Sequence, residues 1–252
     1  MDLPDPAPVV VPAHPQFPGE WFTVACSRPA SGSRAYPDHS SAYTAAPSSG
    51  IDEPTRFVQA PEVVPNALYE KALFYRKLTE LGVNGPLTEQ TIAALGDHFT
   101  LAELDRTLKS HRTRQREFEP IAHTMLVLAK ANYEIRFDPK LNVSERIIFP
   151  SSPTETNGIE DARFVRFTHP DGRVAYYATY TAYDGRVTLP QMLETDDFLH
   201  FKVGTLNGPE VKNKGFALFP RMVNGQYAML SRQDNENVYL MYSDQPYFWY
   251  SK

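Results

Sequence analysis

From about residue 66 to residue 131, apolar positions recur at helical spacing. In NALYEKALFYRKLTELG, Leu68, Leu73, Tyr75 and Leu78 fall near one face and Gly82 closes the run, the pattern of an amphipathic helix ended by a glycine. LTEQTIAALGDHF predicts a second helix with Thr88 as its cap. TLAELDRTLKSH predicts a third: Leu101, Leu104 and Leu108 share a face, and Glu103, three residues after Thr100, completes a capping box. This helix is expected to run on toward AHTMLVLAKA, with Pro120 bending or breaking it. After Ala131 the period changes. YEIRF, RIIFP, ARFVRF, VAYYATYTAY, TLPQMLET, LHFKVGTL, FALFPRMV, QYAMLSRQ and VYLMYS are short runs rich in aromatic and β-branched residues. Turn pairs separate them, at Asp171-Gly172, Asp184-Gly185, Asn207-Gly208 and Asn224-Gly225. Strands meeting at such turns, with no helical run between them, indicate antiparallel all-β structure: a sandwich, a barrel or a propeller.

Two stretches are alike in kind, ARFVRF…DGRVAYYATYTAYDG and FALFPRMVNGQYAMLSRQDNENVYLMYSD, each a strand, a turn, a strand and a polar loop. They begin about 54 residues apart, close to the ~40–50 residues of a propeller blade, which favours a propeller. The predicted organisation is an irregular Pro/Ser-rich leader over 1–62, an α-helical region over 63–131 and β-propeller blades over 132–252. Within the leader, Val9–Val11 and Trp21–Val24 are candidate short strands that dock on later structure. The closing run DQPYFWYSK carries four aromatics, Tyr247 to Tyr250. About 120 residues hold only two to three blades, so the chain is expected to be the N-terminal part of a longer protein.

Composition narrows the function classes. With 25 basic against 30 acidic residues in 252, the chain lacks the cationic excess that nonspecific nucleic-acid binding needs. Its single cysteine, Cys26, excludes an intramolecular disulfide and a cysteine-based zinc site. The seven histidines are scattered and none pairs at metal-ligand spacing, so no metal and no cofactor are expected. No run approaches the ~18 apolar residues of a membrane span. The N-terminus is acidic and proline-broken where a signal peptide is basic and then apolar, so a cytoplasmic location is expected. Nothing in the helical region decides oligomeric state.

The chemistry concentrates in NGIEDAR, residues 157–163. Asn157-Gly158 makes a turn, and Glu160, Asp161 and Arg163 then lead straight into the strand FVRF. A solvated strand end accounts for these charges blandly. A glycosidase site accounts for them chemically: cleaving a glycosidic bond needs a carboxyl group to protonate the leaving oxygen. In inverting enzymes the second participant stands ~6.5–9.5 Å away, with room for an external nucleophile. Water or phosphate can fill that role. Glu194 is a further carboxylate that would serve a hydrolase as base.

SERIIFP, NGIEDARFVRF, YYATYTAYDG, LETDDF, NKGFALFPR and QYAMLSRQDNENVYLMYSD, in this order, resemble glycoside hydrolase family 130. In that family G-x-E-D-P-R opens a strand, T-Y-T-x-Y follows and K-D-x-x-L-F-P comes later. The likeness runs from about Tyr133 to Trp249. It implies a five-bladed propeller acting on β-mannoside oligosaccharides, most often an inverting phosphorylase that uses inorganic phosphate as co-substrate and yields α-mannose 1-phosphate, in some members a hydrolase. It implies Asp161 as general acid, acting in the phosphorylases through the 3-hydroxyl of the sugar being cleaved. Asn157, Glu160, Arg163, Asp184, Lys214, Arg232 and Asp234 are the implied substrate-binding residues. Three departures stand out. Ala162 replaces the proline, Gly215 replaces the acid after the lysine, and no arginine stands in the Leu189–Gln191 window where phosphorylases carry one for phosphate. Arg186 and Arg232 are the candidates to substitute. The rival expectations are a noncatalytic carbohydrate-binding propeller, or a fragment inactive alone because the opposite half of its site lies in absent blades.

Overall fold

The structure is a computed structural model that describes residues 60–66, 68–111, 118–234 and 236–250, together with four short strands nearer the N-terminus. Those four are β1 (Val9–Val11), β2 (Phe22–Val24), β3 (Tyr43–Thr44) and β4 (Phe57–Val58). β1 pairs antiparallel with β2, Val9 opposite Val24, and β3 pairs with β4. The rest of the expected leader lies outside the described residues.

β5 (Glu62–Pro65) straddles the expected start of the helical region and is a sheet strand instead. Its two valines suit a pleated edge, and an edge strand, with one side unpaired, tolerates Pro65. β6 (Tyr69–Glu70) pairs with β7 (His98–Phe99) and frames the helices. α1 is Lys71–Glu80, and Gly82 follows at φ 75, ending it as its sequence predicts. Its buried positions are Phe74, Lys77 and Leu78, while Leu68 precedes the helix and is exposed, so the inward face is rotated from the predicted one. α2 (Pro86–Ala94) opens at Gly85 with Pro86 in its first turn. Thr88 is therefore buried inside the helix, not its cap. α3 (Leu101–Ser110) has the predicted capping box: Thr100 N–H donates to Glu103 Oε2 at 2.8 Å, and Glu103 N–H donates to Thr100 Oγ1 at 3.2 Å. It ends at Ser110, and α4 (Phe118–Lys130) is a separate helix with Pro120 in its first turn, where no intrahelical N–H is missed. Inside this layer Tyr69 stacks on Phe99 and Phe74 meets both edge to face, at centroid distances of 5.2 to 6.3 Å.

The larger sheet has the order β5-β8-β12-β11-β10-β9, antiparallel throughout. Its strands are β8 (Tyr133–Arg136), β9 (Ile159–Thr168), β10 (Val174–Tyr183), β11 (Thr188–Thr195) and β12 (His200–Thr205). β9 to β12 form a meander with β9 at its edge. A second antiparallel sheet holds β13 (Ala217–Leu218), β14 (Tyr227–Ser231) and β15 (Tyr239–Ser243). Asn224 and Gly225 both take positive φ, 51° and 80°, in the turn leading to β14, the I′ geometry that Asn-Gly favours.

Both faces of β10 are buried. Tyr176, Ala178, Tyr180 and Ala182 pack with Tyr133, Ile135, Phe198 and Phe201 on one side. Ala175 and Tyr177 pack on the other with Phe216, Met229, Met241 and Trp249 of the second sheet's layer. The tyrosines of VAYYATYTAY thus do not alternate between core and surface, because a second layer covers the face that a lone sheet would leave wet. α1 locks onto this layer through charge: Lys77 donates to Leu206 O at 2.9 Å and to Glu80 at 3.0 Å, and Glu80 accepts from Gly208 N–H at 2.7 Å. Among the described residues no helix is long and apolar enough to cross a membrane.

Candidate active site

The turn before β9 is built by backbone bonds. Gly158, at φ 113, donates to Glu155 O at 2.8 Å, Asn157 N–H donates to Tyr183 O at 2.8 Å, and Tyr183 N–H returns to Gly158 O at 3.1 Å. The Asn157 side chain lies over the β10–β11 turn: a Cβ added at Gly185 would stand 2.9 Å from its Nδ2.

Beyond the turn the ladder breaks register. Glu160 faces Thr181 and Arg163 faces Thr179, so Asp161 and Ala162 together oppose the single Tyr180. This is a β-bulge, the device that re-aims a side chain at a sheet edge. Asp161 occupies it at φ 56, a left-handed conformation that Asp and Asn tolerate better than other residues with a Cβ. Ala162 points into the core and Asp161 is exposed. The bulge thus splits two adjacent residues between core and rim.

Four of the sequence-predicted charges gather at this edge. Glu160 pairs with Lys214 at 3.2 Å. A Cβ placed on Gly215, at φ 88, would stand 3.6 Å from Arg163 Nη1 and 3.6 Å from Arg232 Cδ. Both arginines therefore flank a glycine whose positive φ, not crowding, disfavours a side chain. Two bonds fix the loop: Thr179 Oγ1 donates to Phe216 O at 2.6 Å, and Asn213 Nδ2 donates to Arg232 O at 3.3 Å. Thr179 is the residue facing Arg163, so one ladder position holds the guanidinium and the loop that carries Lys214.

The other predicted residues have local work. Asp184 accepts from the N–H groups of Arg186 and Val187 at 2.8 and 2.7 Å, closing the β10–β11 turn. Asp234 accepts from Tyr239 OH at 2.6 Å and from Asn237 and Glu236. The Tyr239 hydroxyl first, then the Asn237 donors, hold its carboxyl well below the usual carboxylate range. Glu194 accepts from Tyr247 OH at 2.8 Å and Tyr177 OH at 3.3 Å. Across the sheet it is level with Val165 of β9, two strand spacings away, which sets its backbone roughly 15 Å from that of Asp161. Gln191 is fully buried and donates to Ala131 O at 3.1 Å, so the Leu189–Gln191 window offers no cation. Among the described residues, no cluster of His, Cys, Asp and Glu could hold a metal ion.

One residue that the sequence did not single out lies beneath the turn. Glu155 is fully buried and accepts from Tyr180 OH at 2.8 Å, Tyr133 OH at 3.0 Å, Ser151 N–H at 2.8 Å and Ser152 N–H at 2.9 Å. Burial first, and then the Glu155 charge, push Tyr133 and Tyr180 well above the ordinary tyrosine range; burial does the same to Tyr247 beside Glu194. The folded chain therefore keeps at least these three protons, which the unfolded chain releases near pH 10. The stability they contribute is intact below pH 10 and is lost above it, at up to about 1.4 kcal/mol per pH unit for each tyrosine. Lys77, whose pKa burial lowers, works the other way with one proton. Denaturant midpoints at pH 8.0, 9.5 and 11 should fall steeply only in the last interval, together with the appearance of tyrosinate absorbance.

A family model described as beta-1,4-mannooligosaccharide phosphorylase matches residues 113–252. Among solved structures, the chain is similar to a beta-1,2-mannobiose phosphorylase from Listeria innocua in complex with beta-1,2-mannobiose. Identity is 23%, over 47% of this chain and 34% of that one, with a TM-score of 0.34. The chain thus spans about a third of that protein's length. No curated protein matches it.

Proposed function

The chain belongs to glycoside hydrolase family 130, and from that premise we propose that it forms part of a longer inverting enzyme that cleaves β-mannoside oligosaccharides by phosphorolysis, Asp161 being its general acid. The observation that carries the reading is the bulge: it sets Asp161, exposed, on the edge strand next to Glu160, which pairs with Lys214, and two residues before Arg163, whose guanidinium approaches Gly215. In this reading Asp161 releases its proton to the departing glycosidic oxygen by way of the sugar's own 3-hydroxyl. Phosphate attacks the anomeric carbon from the opposite face, the C1–O bond to the leaving sugar breaks, a C1–O bond to phosphate forms, and β-mannoside becomes α-mannose 1-phosphate. A five-bladed propeller completed by the rest of the protein would supply the remaining walls.

Electrostatics favour phosphate over water as the nucleophile. Lys214 is offset by Glu160, but Arg163 and Arg232 approach each other across Gly215. The family's acid at that position would neutralise them, and glycine leaves the pair free to hold an anion, which arginine does through two parallel hydrogen bonds. Arg232 therefore takes over what the Leu189–Gln191 window does not provide. The complete protein, assayed on β-1,2- and β-1,4-linked mannobiose, should turn over only as phosphate is added and saturate with it. Arg232→Ala should raise the KM for phosphate about tenfold to a hundredfold, the worth of a charge-assisted bond, and change the KM for mannobiose little. Equal rates without phosphate would make it a hydrolase, and saccharide binding without turnover would make it a binding module.

A further inference from the structure

We propose that Glu155 is a positioning residue for Asp161: a buried carboxylate that fixes, through Tyr180 and the Asn157–Gly158 turn, the bulge on which Asp161 stands. The proposal rests on the reading of Asp161 as the acid. Tyr180 is the residue that the ladder skips, lying between Thr179 opposite Arg163 and Thr181 opposite Glu160. Its hydroxyl donates to Glu155 Oε1 at 2.8 Å. The backbone of the same glutamate accepts from Gly158 N–H at 2.8 Å, one residue before β9 begins. Oε2 meanwhile takes the N–H groups of Ser151 and Ser152, and Tyr133 reaches both oxygens at 3.0 Å from β8. One residue thus ties the incoming loop, the turn and the residue facing the bulge to a single point.

Glu155 is held by neutral donors; among the described residues no lysine or arginine forms a salt bridge with it. Burying a carboxylate without a counter-ion is a costly way to gain stability alone, and a wholly apolar cluster, its donors replaced as well, would fill the space more cheaply. What the carboxylate adds is direction: four donors converge on two oxygens and leave the loop one arrangement. A bulge holding a residue at φ 56 needs such over-determination to persist.

The test uses Glu155→Gln, Tyr180→Phe, their double variant and Asp161→Asn in the complete protein, with circular dichroism confirming folding at the assay temperature. Glu155→Gln and Tyr180→Phe should each lower kcat on mannobiose at least about tenfold, because small misplacements of an acid are expensive. KM should stay within about twofold, and the double variant should fall little below the worse single, as expected of residues acting through one contact. In the 252-residue chain itself, amide hydrogen exchange over 157–163 should quicken at least about tenfold in both single variants, with β11 and β12 unchanged. Wild-type kcat in folded Glu155→Gln and Tyr180→Phe, with Asp161→Asn inactive, would overturn the positioning role alone. Unchanged exchange over 157–163 would overturn it independently of any assay. Full turnover by Asp161→Asn would remove the reading beneath it, and the proposal with it.

Discussion

Asp161→Asn is expected to lower kcat on β-linked mannobiose about a thousandfold in the complete protein, within the 10²–10⁴ that a positioned acid contributes. The substitution is chosen to isolate chemistry from folding. Asparagine has the same shape and shares aspartate's tolerance of left-handed backbone, so the bulge at φ 56 should survive. Asp161 is exposed and outside the hydrophobic clusters, so its replacement should shift the unfolding midpoint by less than about 0.5 kcal/mol. What asparagine lacks is a dissociable proton. Asp161→Ala would be a poorer test, because alanine at positive φ strains the backbone and mixes a structural cost into the rate.

Glu155→Leu should have the largest effect on stability, about 5 kcal/mol in guanidinium unfolding of the chain. Leucine is of similar size, so a cavity is not the main cause. The cost comes from four buried donors, two tyrosine hydroxyls and two backbone N–H groups, that would lose their acceptor at about 1–3 kcal/mol each, less what local relaxation recovers. The contrast with a surface pair is instructive. Lys109 and Asp105 stand 2.6 Å apart on α3, closer than any donor of Glu155, yet both are exposed. Asp105→Ala should therefore cost no more than about 0.5 kcal/mol. Burial, not distance, decides which carboxylate matters.

How far the sequence reached depended on whether a feature was local. The capping box of α3 and the glycine after α1 were legible because each is written within four or five residues. So were most of the strands and their Asp-Gly and Asn-Gly turns; RIIFP, residues 146–150, is the exception and forms no strand. The inward face of α1 differs from the predicted one because Phe74, Lys77 and Leu78 are buried by partners from distant segments: Phe99 meets Phe74 edge to face, and Leu206 accepts from Lys77. β5 was missed because four residues cannot declare a period.

At the site, Asp161 and its neighbours were legible as a motif, but the bulge was not, since register belongs to a pair of strands. That Gly215, next to Lys214, lies between Arg163 and Arg232 is not legible in the sequence, because Lys214 precedes β13 and Arg232 follows β14. Glu155 was invisible: within SSPTETN nothing marks one polar residue for full burial. Asp184 and Asp234 carried a signal that could have been heeded. Asp-Gly-Arg-Val and Asp-Asn-Glu-Asn place backbone N–H groups two and three residues after the acid, the spacing by which aspartate closes its own turn.

The central claim is that the bulge presents an acid for inverting cleavage of a β-mannoside. Proton NMR of the first product, recorded within the opening minutes of reaction of the complete protein with β-linked mannobiose and phosphate, tests it most directly. The expected result is α-mannose 1-phosphate formed in step with one equivalent of mannose from the leaving sugar, with no product from Asp161→Asn over the same interval. β-Configured mannose 1-phosphate, or the same sugar phosphate at the same rate from Asp161→Asn, would contradict it.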